Sequence, residues 1–158
     1  MTEATGTMCT IVFLLRDDEI LLAMKKRGFG ANRWNGVGGK QDPGESIEET
    51  AVRECQEEIG VTPHDLEKVA YHRFILADNH PDMLTHVYIS RRWNGEPVET
   101  EEMAPQWFKT NDIPYHEMWD DDSLWLPAVL QGKTMETVFS FDDDQHVLSA
   151  EVKITSVT

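Results

Sequence analysis

Three glutamates, Glu54, Glu57 and Glu58, stand three and one residues apart in a stretch that also holds Ile47, Ala51, Cys55 and Ile59 at helical spacing. On a helix such spacings gather the three carboxylates into an arc of about 100°. The apolar arc lies beside them, which puts Glu58 at the border of the face that must be buried. Arg53 is the nearest cation, and like charges this close repel unless positive charge comes from outside the helix. A hard divalent cation suits the site, because Mg²⁺ takes oxygen ligands from a few carboxylates and keeps positions for water and phosphate. The same pattern is also compatible with an acidic, solvated helix face.

The helix itself is clearly punctuated. Ser46 and Glu49 fit the S-x-x-E capping box and Gly60 occupies the stop position, so a helix is predicted over Ser46 to Ile59, after a turn at Pro43-Gly44. Before it, KKRGFGANRWNGVGGK from Lys25 to Lys40 holds five of the 14 basic residues and five of the 10 glycines, the composition of a loop with unusual positive charge. Upstream, Cys9 to Leu15 and Ile20 to Met24 read as a first hairpin. Lys68 to Ala77 and Leu84 to Arg91, separated by DNHPDM, read as a second strand pair, closed by Trp93-Asn94-Gly95. A short strand over Gln106 to Lys109 follows, then a helix beginning near Ser123. Thr134 to Phe141 and His146 to Ile154 form a last hairpin turning on Asp142 to Asp144. Strands and helices in this order predict an α/β (α+β) fold with the sheet as middle layer.

Composition narrows the function. The chain has 158 residues without repeat, linker or low-complexity tract, so residues 1–158 are expected to form a single domain. A net charge of −15 argues against duplex nucleic acid or an anionic membrane as partner. An anionic substrate would need metal or a local basic patch. MTEATGT offers no basic leader, and no apolar run approaches the roughly 18 residues of a membrane span. Two cysteines, Cys9 and Cys55, both in apolar runs, point to a reducing compartment, read as the cytoplasm.

Across Gly39, Glu45, Arg53-Glu54-Cys55, Glu57-Glu58, Gly60 and Val61 the chain resembles the Nudix box, whose pattern is G, E, REU, EE, G and U, where U is a bulky aliphatic. Cys55 in the first U position is the one departure. The resemblance implies a Nudix-type α/β/α sandwich with a mixed central sheet, which cleaves a nucleoside diphosphate linked to another group with Mg²⁺ (Mn²⁺ as a substitute) and an attacking water. It carries metal-ligand roles onto Glu54, Glu57 and Glu58, with the Gly38 carbonyl as a further ligand and Glu54 alternatively a base acting through water. Glu102 is the candidate extra acid from outside the box, with Glu101 its rival. Arg53 and Glu45 look like a pair bracing loop against helix, while Lys25, Arg27 and Lys40 are either phosphate contacts or plain solvated charges.

The likeness extends to MKKRGFGANRWNGVGGK, EEMAPQWF and MWDDDSLWLP, which resemble the oxidised purine nucleoside triphosphatase (8-oxo-dGTP diphosphatase) branch of that family. This implies a nucleotide-pool-sanitising enzyme that takes 8-oxo-dGTP and 2-oxo-dATP to monophosphates. It places base recognition on Asn35, Asp121 and Asp122, with Trp119 and Phe29 near the base, Phe74 and Met83 lining the pocket, Thr10 at its floor and Gly38, Gly39 and Lys40 beside the phosphates. Val37 and Leu76 stand where the branch has aromatics, and Asp120 where it has a proline. Other leaving groups remain alternatives: ADP-ribose, a dinucleotide polyphosphate or a capped RNA end. A catalytically silent ligand-binding domain is a further alternative. The partner is a small nucleotide, and a monomer is expected, a dimer being compatible.

Taken on residue type alone, Asp121, Asp122 and Ser123 before an apolar run are also ordinary N-cap signals. In a pocket beside Trp119, two adjacent carboxylates would instead hold one proton between them, so that one donates and the other accepts. Trp34, Trp107 and Trp125 read as core, the histidines show no ligand spacing, and His72 and His86 read as paired neighbours on adjacent strands.

Overall fold

The computed structural model describes residues 6–157; the MTEAT stretch read above for its lack of a leader lies outside them. β1 (Thr7–Arg16) runs parallel to β6 (Met83–Ser90), which is antiparallel to β5 (Glu67–Ile75). β5 in turn runs parallel to β9 (Lys133–Phe141), and β10 (Val147–Val157) closes the edge antiparallel to β9. Parallel neighbours cannot be joined by a tight turn, so the chain crosses over through helices and long loops. The sheet is therefore mixed.

One helix covers each face. α1 (Ile47–Ile59) buries Ala51, Cys55 and Ile59 against Val12, Leu14 and Tyr88, the apolar arc foreseen from its spacing. Ser46 and Glu49 form the full capping box, and Gly60 ends the helix at φ 72°, a backbone that favours glycine. α2 (Asp122–Leu130) packs Trp125 and Leu126 against Phe13, Val87 and Phe139 on the opposite face. The expected α/β/α arrangement follows.

Several boundaries differ from the sequence expectation. The first hairpin is a hinge more than a ladder: β1 and β2 (Glu19–Lys25) pair only at Leu15↔Ile20 and Arg16↔Glu19. Beyond that point β2 leaves β1 and pairs with β3 (Trp34–Asn35), while along its whole length it pairs with β8, which starts at Met103 rather than Gln106 (Met103–Lys109). The vacated edge of β1 is taken by the glycine-rich segment, with Val12 and Val37 exchanging backbone bonds of 2.7 and 2.9 Å and Thr10 N–H donating to the Gly39 carbonyl at 2.9 Å. This divergence opens a cleft between β1 and β2. Trp93-Asn94 is no mere closing turn, since β7 (Arg92–Asn94) pairs with β4 (Thr62–His64) in a separate small sheet that local patterning did not reveal.

His72 and His86 are not partners. His72 pairs with Thr85 and His86 with Tyr71, so they face opposite sides of the sheet. The Asp142 to Asp144 triplet does form the last turn, where Asp142 Oδ1 accepts the N–H groups of Asp144 and His146. That turn also brings His146 into a group with Asp142 and Asp144 despite the lack of ligand spacing, although the Asp142 carboxylate is already used by the turn itself.

Candidate active site

The acidic helix is organised by one arginine. Arg53 Nε donates to Glu45 Oε2 at 2.7 Å, its Nη2 to Glu45 Oε1 and the Lys40 carbonyl at 3.0 Å, and its Nη1 to Glu54 Oε1 at 2.8 Å and Glu57 Oε2 at 3.2 Å. Glu45 also accepts from Thr50 Oγ1 at 2.6 Å and from the Asp42 N–H at 3.1 Å. The Arg53 guanidinium, with Thr50 next, lowers the Glu45 carboxyl to about 2. The brace between loop and helix is thus a fixed ion pair that aims two other carboxylates.

Glu54 is buried while Glu57 is exposed. A Cβ on Gly39 would stand 2.5 Å from the Glu54 carboxyl carbon, and one on Gly38 would collide with the Thr10 carbonyl, so only glycines let this loop lie against the acid. Glu58 is hydrogen-bonded to Glu54 and pushed up to about 7, by burial first and the Glu54 charge second. Its Oε2 is buried without any partner among the described residues. An orphaned carboxylate oxygen beside two more carboxylates is the donor set that a hard divalent cation completes, so these residues fit a metal.

Glu102 lies close enough to raise the Glu58 carboxyl further, and it forms an ion pair with Arg27, whose Nε donates to Glu102 Oε1 at 2.9 Å. Glu101 is the more exposed of the two and sits 3.9 Å from the Arg27 Nη2. Thr100 ties this loop to α1 through its Oγ1, which donates to the Glu58 carbonyl at 2.8 Å.

From the glycine loop a cavity of about 410 Å³ runs into the cleft where β1 and β2 diverge. Of the residues expected at the phosphates or the base, all but Arg27 lie on its wall; Arg27 is paired with Glu102 instead. Thr10, Gly38, Gly39 and Lys40 are at the loop, with Lys25 and Asn35 from β2 and β3. Phe29, Phe74, Met83 and Trp119 supply apolar wall, and Asp121 and Asp122 close the far end. Lys25 is partly committed, its Nζ donating to the Phe29 carbonyl at 2.6 Å. Asn35 uses its oxygen to accept from the Gly36 N–H at 2.8 Å, and its amide nitrogen makes no protein hydrogen bond among the described residues.

The Asp pair is no helix cap. Asp121 stands at the N-cap position but makes no side-chain cap bond, and the helix begins at Asp122, not Ser123. Asp121 Oδ2 instead accepts from the Trp125 indole N–H at 2.8 Å, and the two carboxyl groups are hydrogen-bonded to each other. Burial raises Asp121 to about 6, and Asp122, more deeply buried and next to the Asp121 charge, is raised well above its ordinary value. Burial and the neighbouring charge thus favour a proton held by Asp122 rather than by Asp121. Asp122 Oδ2 is buried with no partner among the described residues.

Arg33 and His80 are among the lining residues that the sequence did not place at the site. The Arg33 guanidinium lies 4.2 Å from the Trp119 ring centroid, and His80 stacks on Phe29 with centroids 5.5 Å apart. Arg33 was visible only as one basic residue of the loop, and His80 sat in a segment read as a strand connection. Trp125 is core as expected, and Trp34 and Trp107 pack partly buried against the two apolar clusters.

A NUDIX domain model matches residues 7–129. The chain belongs to the Nudix family. It is 42% identical over 150 residues to the oxidized purine nucleoside triphosphate hydrolase of Mus musculus, covering 95% of this chain and 96% of that one. The Danio rerio protein of the same name is 41% identical over 97% of each chain. A MutT protein structure from Bacillus halodurans shares the fold, with TM-score 0.84 at 24% identity over 93% of this chain and 97% of that one. Nudix hydrolases generally use divalent metal ions, in keeping with the orphaned Glu58 oxygen. No helix among the described residues is long and apolar enough to cross a membrane.

Proposed function

We propose that this chain hydrolyses oxidised purine nucleoside triphosphates such as 8-oxo-dGTP and 2-oxo-dATP to monophosphate and pyrophosphate, with Mg²⁺ as its metal and Mn²⁺ as a substitute. The observation that carries the reading is the buried Asp121–Asp122 pair in the wall of an aromatic cavity whose glycine loop lies against Glu54 of the acidic helix. A neutral carboxyl donates and an ionised one accepts, so the pair can match the edge of a purine whose donor and acceptor pattern oxidation has altered. The two relatives named for that activity support the assignment.

Glu54, Glu57 and Glu58 hold the metal, joined by Glu102 and the Gly38 carbonyl, with Glu101 the alternative to Glu102. A divalent cation held by these residues would supply positive charge to the phosphate oxygens and make an attacking water more acidic. Arg53 keeps Glu54 and Glu57 aimed while staying tied to Glu45. Lys40 and Lys25 offset phosphate charge at the mouth, a local cationic rim that lets so acidic a protein admit a polyphosphate. Asn35 donates its free amide N–H groups to the base, and Trp119 and Phe29 cover its faces. The protein acts as a single-domain monomer in the cytoplasm, where its two buried thiols stay reduced.

Pyrophosphate release from 8-oxo-dGTP, 2-oxo-dATP, the ordinary dNTPs and ADP-ribose, each with Mg²⁺, tests the reading. The oxidised purines should lead in kcat/KM by at least about tenfold. Equal rates on all triphosphates, or preference for ADP-ribose, overturn it. In the same assay Asn35→Ala should cost about 1–3 kcal/mol in purine binding with little change in kcat.

A further inference from the structure

The cavity mouth carries a continuous stack of side chains. His80, in the loop between β5 and β6, lies on Phe29 at 5.5 Å and 21°, Phe29 lies 5.2 Å from Trp119, and the Arg33 guanidinium caps the Trp119 ring. All four line the cavity. Phe29 leaves 44% of its surface exposed, so the stack is open to solvent on that side.

The loop presenting His80 is built rather than slack. Asp78 and Asn79 hold consecutive left-handed conformations at φ 61° and 59°, a strained pair for residues with side chains. The loop's far end is fastened by the Thr7 N–H donating to the Asp82 carbonyl at 2.7 Å and by Arg73 Nε donating to Asp82 Oδ2 at 2.8 Å. The His80 ring is also oriented, because its Nδ1 lies 2.8 Å from the Pro81 carbonyl, which can only accept. The proton is thus on Nδ1, and Nε2 is left as the ring's free polar atom.

We propose that His80 is a further substrate-binding residue: its ring, stacked on Phe29, forms the outer lip of the base pocket and contacts the bound purine nucleotide. The lip sets how tightly the base is retained and takes no part in hydrolysis. An aromatic ring gives affinity to any base through its face, so the contribution falls on purines with and without the oxidation, while Asp121 and Asp122 discriminate between them. The inference rests on the base-pocket reading above.

The test pairs His80→Ala with His80→Phe, both at an exposed position where folding should survive, as checked by thermal melting. Measurements are KM and kcat for 8-oxo-dGTP and, without metal, the dissociation constant of 8-oxo-dGMP from quenching of tryptophan fluorescence. His80→Ala should raise KM and that dissociation constant about tenfold and leave kcat within twofold, and His80→Phe should restore both to within about threefold. Unchanged affinity in His80→Ala overturns the proposal. So does weakening that His80→Phe fails to rescue, since the bond to Pro81 and not the stacked ring would then be responsible. Asn35→Ala in the same titration separates the two claims: if it weakens binding while His80→Ala does not, the lip fails and the pocket stands, and if neither weakens binding the pocket assignment itself falls.

Discussion

Replacing Asp122 by Asn tests the shared proton in a way that needs no substrate. In the folded protein burial and the Asp121 charge hold the Asp122 carboxyl well above its ordinary value, so it keeps its proton to higher pH than the unfolded chain, which titrates near 3.9. A raised folded-state pKa contributes stability that is complete below the unfolded pKa and fades as pH rises. The loss is about 1.4 kcal/mol per pH unit for one proton over the range between the unfolded and folded pKa values. Asparagine is neutral in both states, and its amide N–H can donate to Asp121 as the protonated carboxyl does. Asp122→Asn should therefore be more stable than the native protein by an amount that grows with pH at that slope. Urea denaturation at half-unit intervals from pH 5 to 7 measures it. The amide cannot exchange its donor for an acceptor, so the ratio of kcat/KM between 8-oxo-dGTP and 2-oxo-dATP should also shift, by about 1–3 kcal/mol at neutral pH. Two stability curves that run parallel would refute the shared proton. An unchanged substrate ratio would refute its role at the base edge.

Glu57→Gln should lower kcat by about 10²-fold or more while leaving the melting temperature nearly unchanged, since the exposed Glu57 contributes only one contact to Arg53; near-native turnover at saturating Mg²⁺ would remove Glu57 from the metal set. Gly39→Ala drives a methyl group to 2.5 Å from the Glu54 carboxyl carbon, so Mn²⁺ affinity followed by electron paramagnetic resonance should fall at least about tenfold, and native affinity would show that Glu54 does not depend on this close approach. His72 is lowered to about 3 by burial, so the unfolded chain gains a proton below pH 6.5 that the folded protein refuses. The His72 contribution to stability should fall by about 1.4 kcal/mol per unit as pH drops from 6.5 toward 4, so His72→Gln, which keeps a polar partner for Thr137, should gain on the native protein at that slope; two stability curves that run parallel over this range would place the acid sensitivity elsewhere.

Local chemistry made the catalytic helix legible in the sequence: a capping box, an αL glycine and a 3.6-residue apolar period act within one element, and each is present in the structure. The central strands were legible for the same reason, their β-branched runs being long. What escaped depends on partners far along the chain. β3 and the early start of β8 exist because both border β2, and β4 and β7 are three-residue strands with only each other to pair with. A segment that short has no period to read. The Asp pair shows the limit at the site: as residue types, Asp121 and Asp122 fit a helix cap, and only the burial conferred by Trp119, Trp125 and the cavity turns them into a proton-sharing pair. His80 was missed because a histidine in a polar connection carries no signal until the fold sets it against Phe29.

The buried polar atoms without partners separate the site from its scaffold. Leaving such an atom unsatisfied costs about 1–3 kcal/mol, so each calls for a physical account. Thr10 Oγ1, Glu58 Oε2 and Asp122 Oδ2 belong to residues at the floor of the cavity, on the acidic helix and in the cavity wall, where metal and base would complete them. His72 and His86 also leave ring nitrogens unpaired among the described residues, yet neither lines the cavity, and both are pushed toward the neutral form by burial. For them the fold has lowered the cost by removing the charge. For Glu58 and Asp122 it has raised the carboxyl pKa and kept the oxygen available, which leaves part of their desolvation cost to be offset when ligand binds. Ligand should therefore stabilise this protein by more than its contacts with the glycine loop alone would provide, and the gain should diminish in Asp122→Asn, where the empty pocket is already relieved of its buried acid.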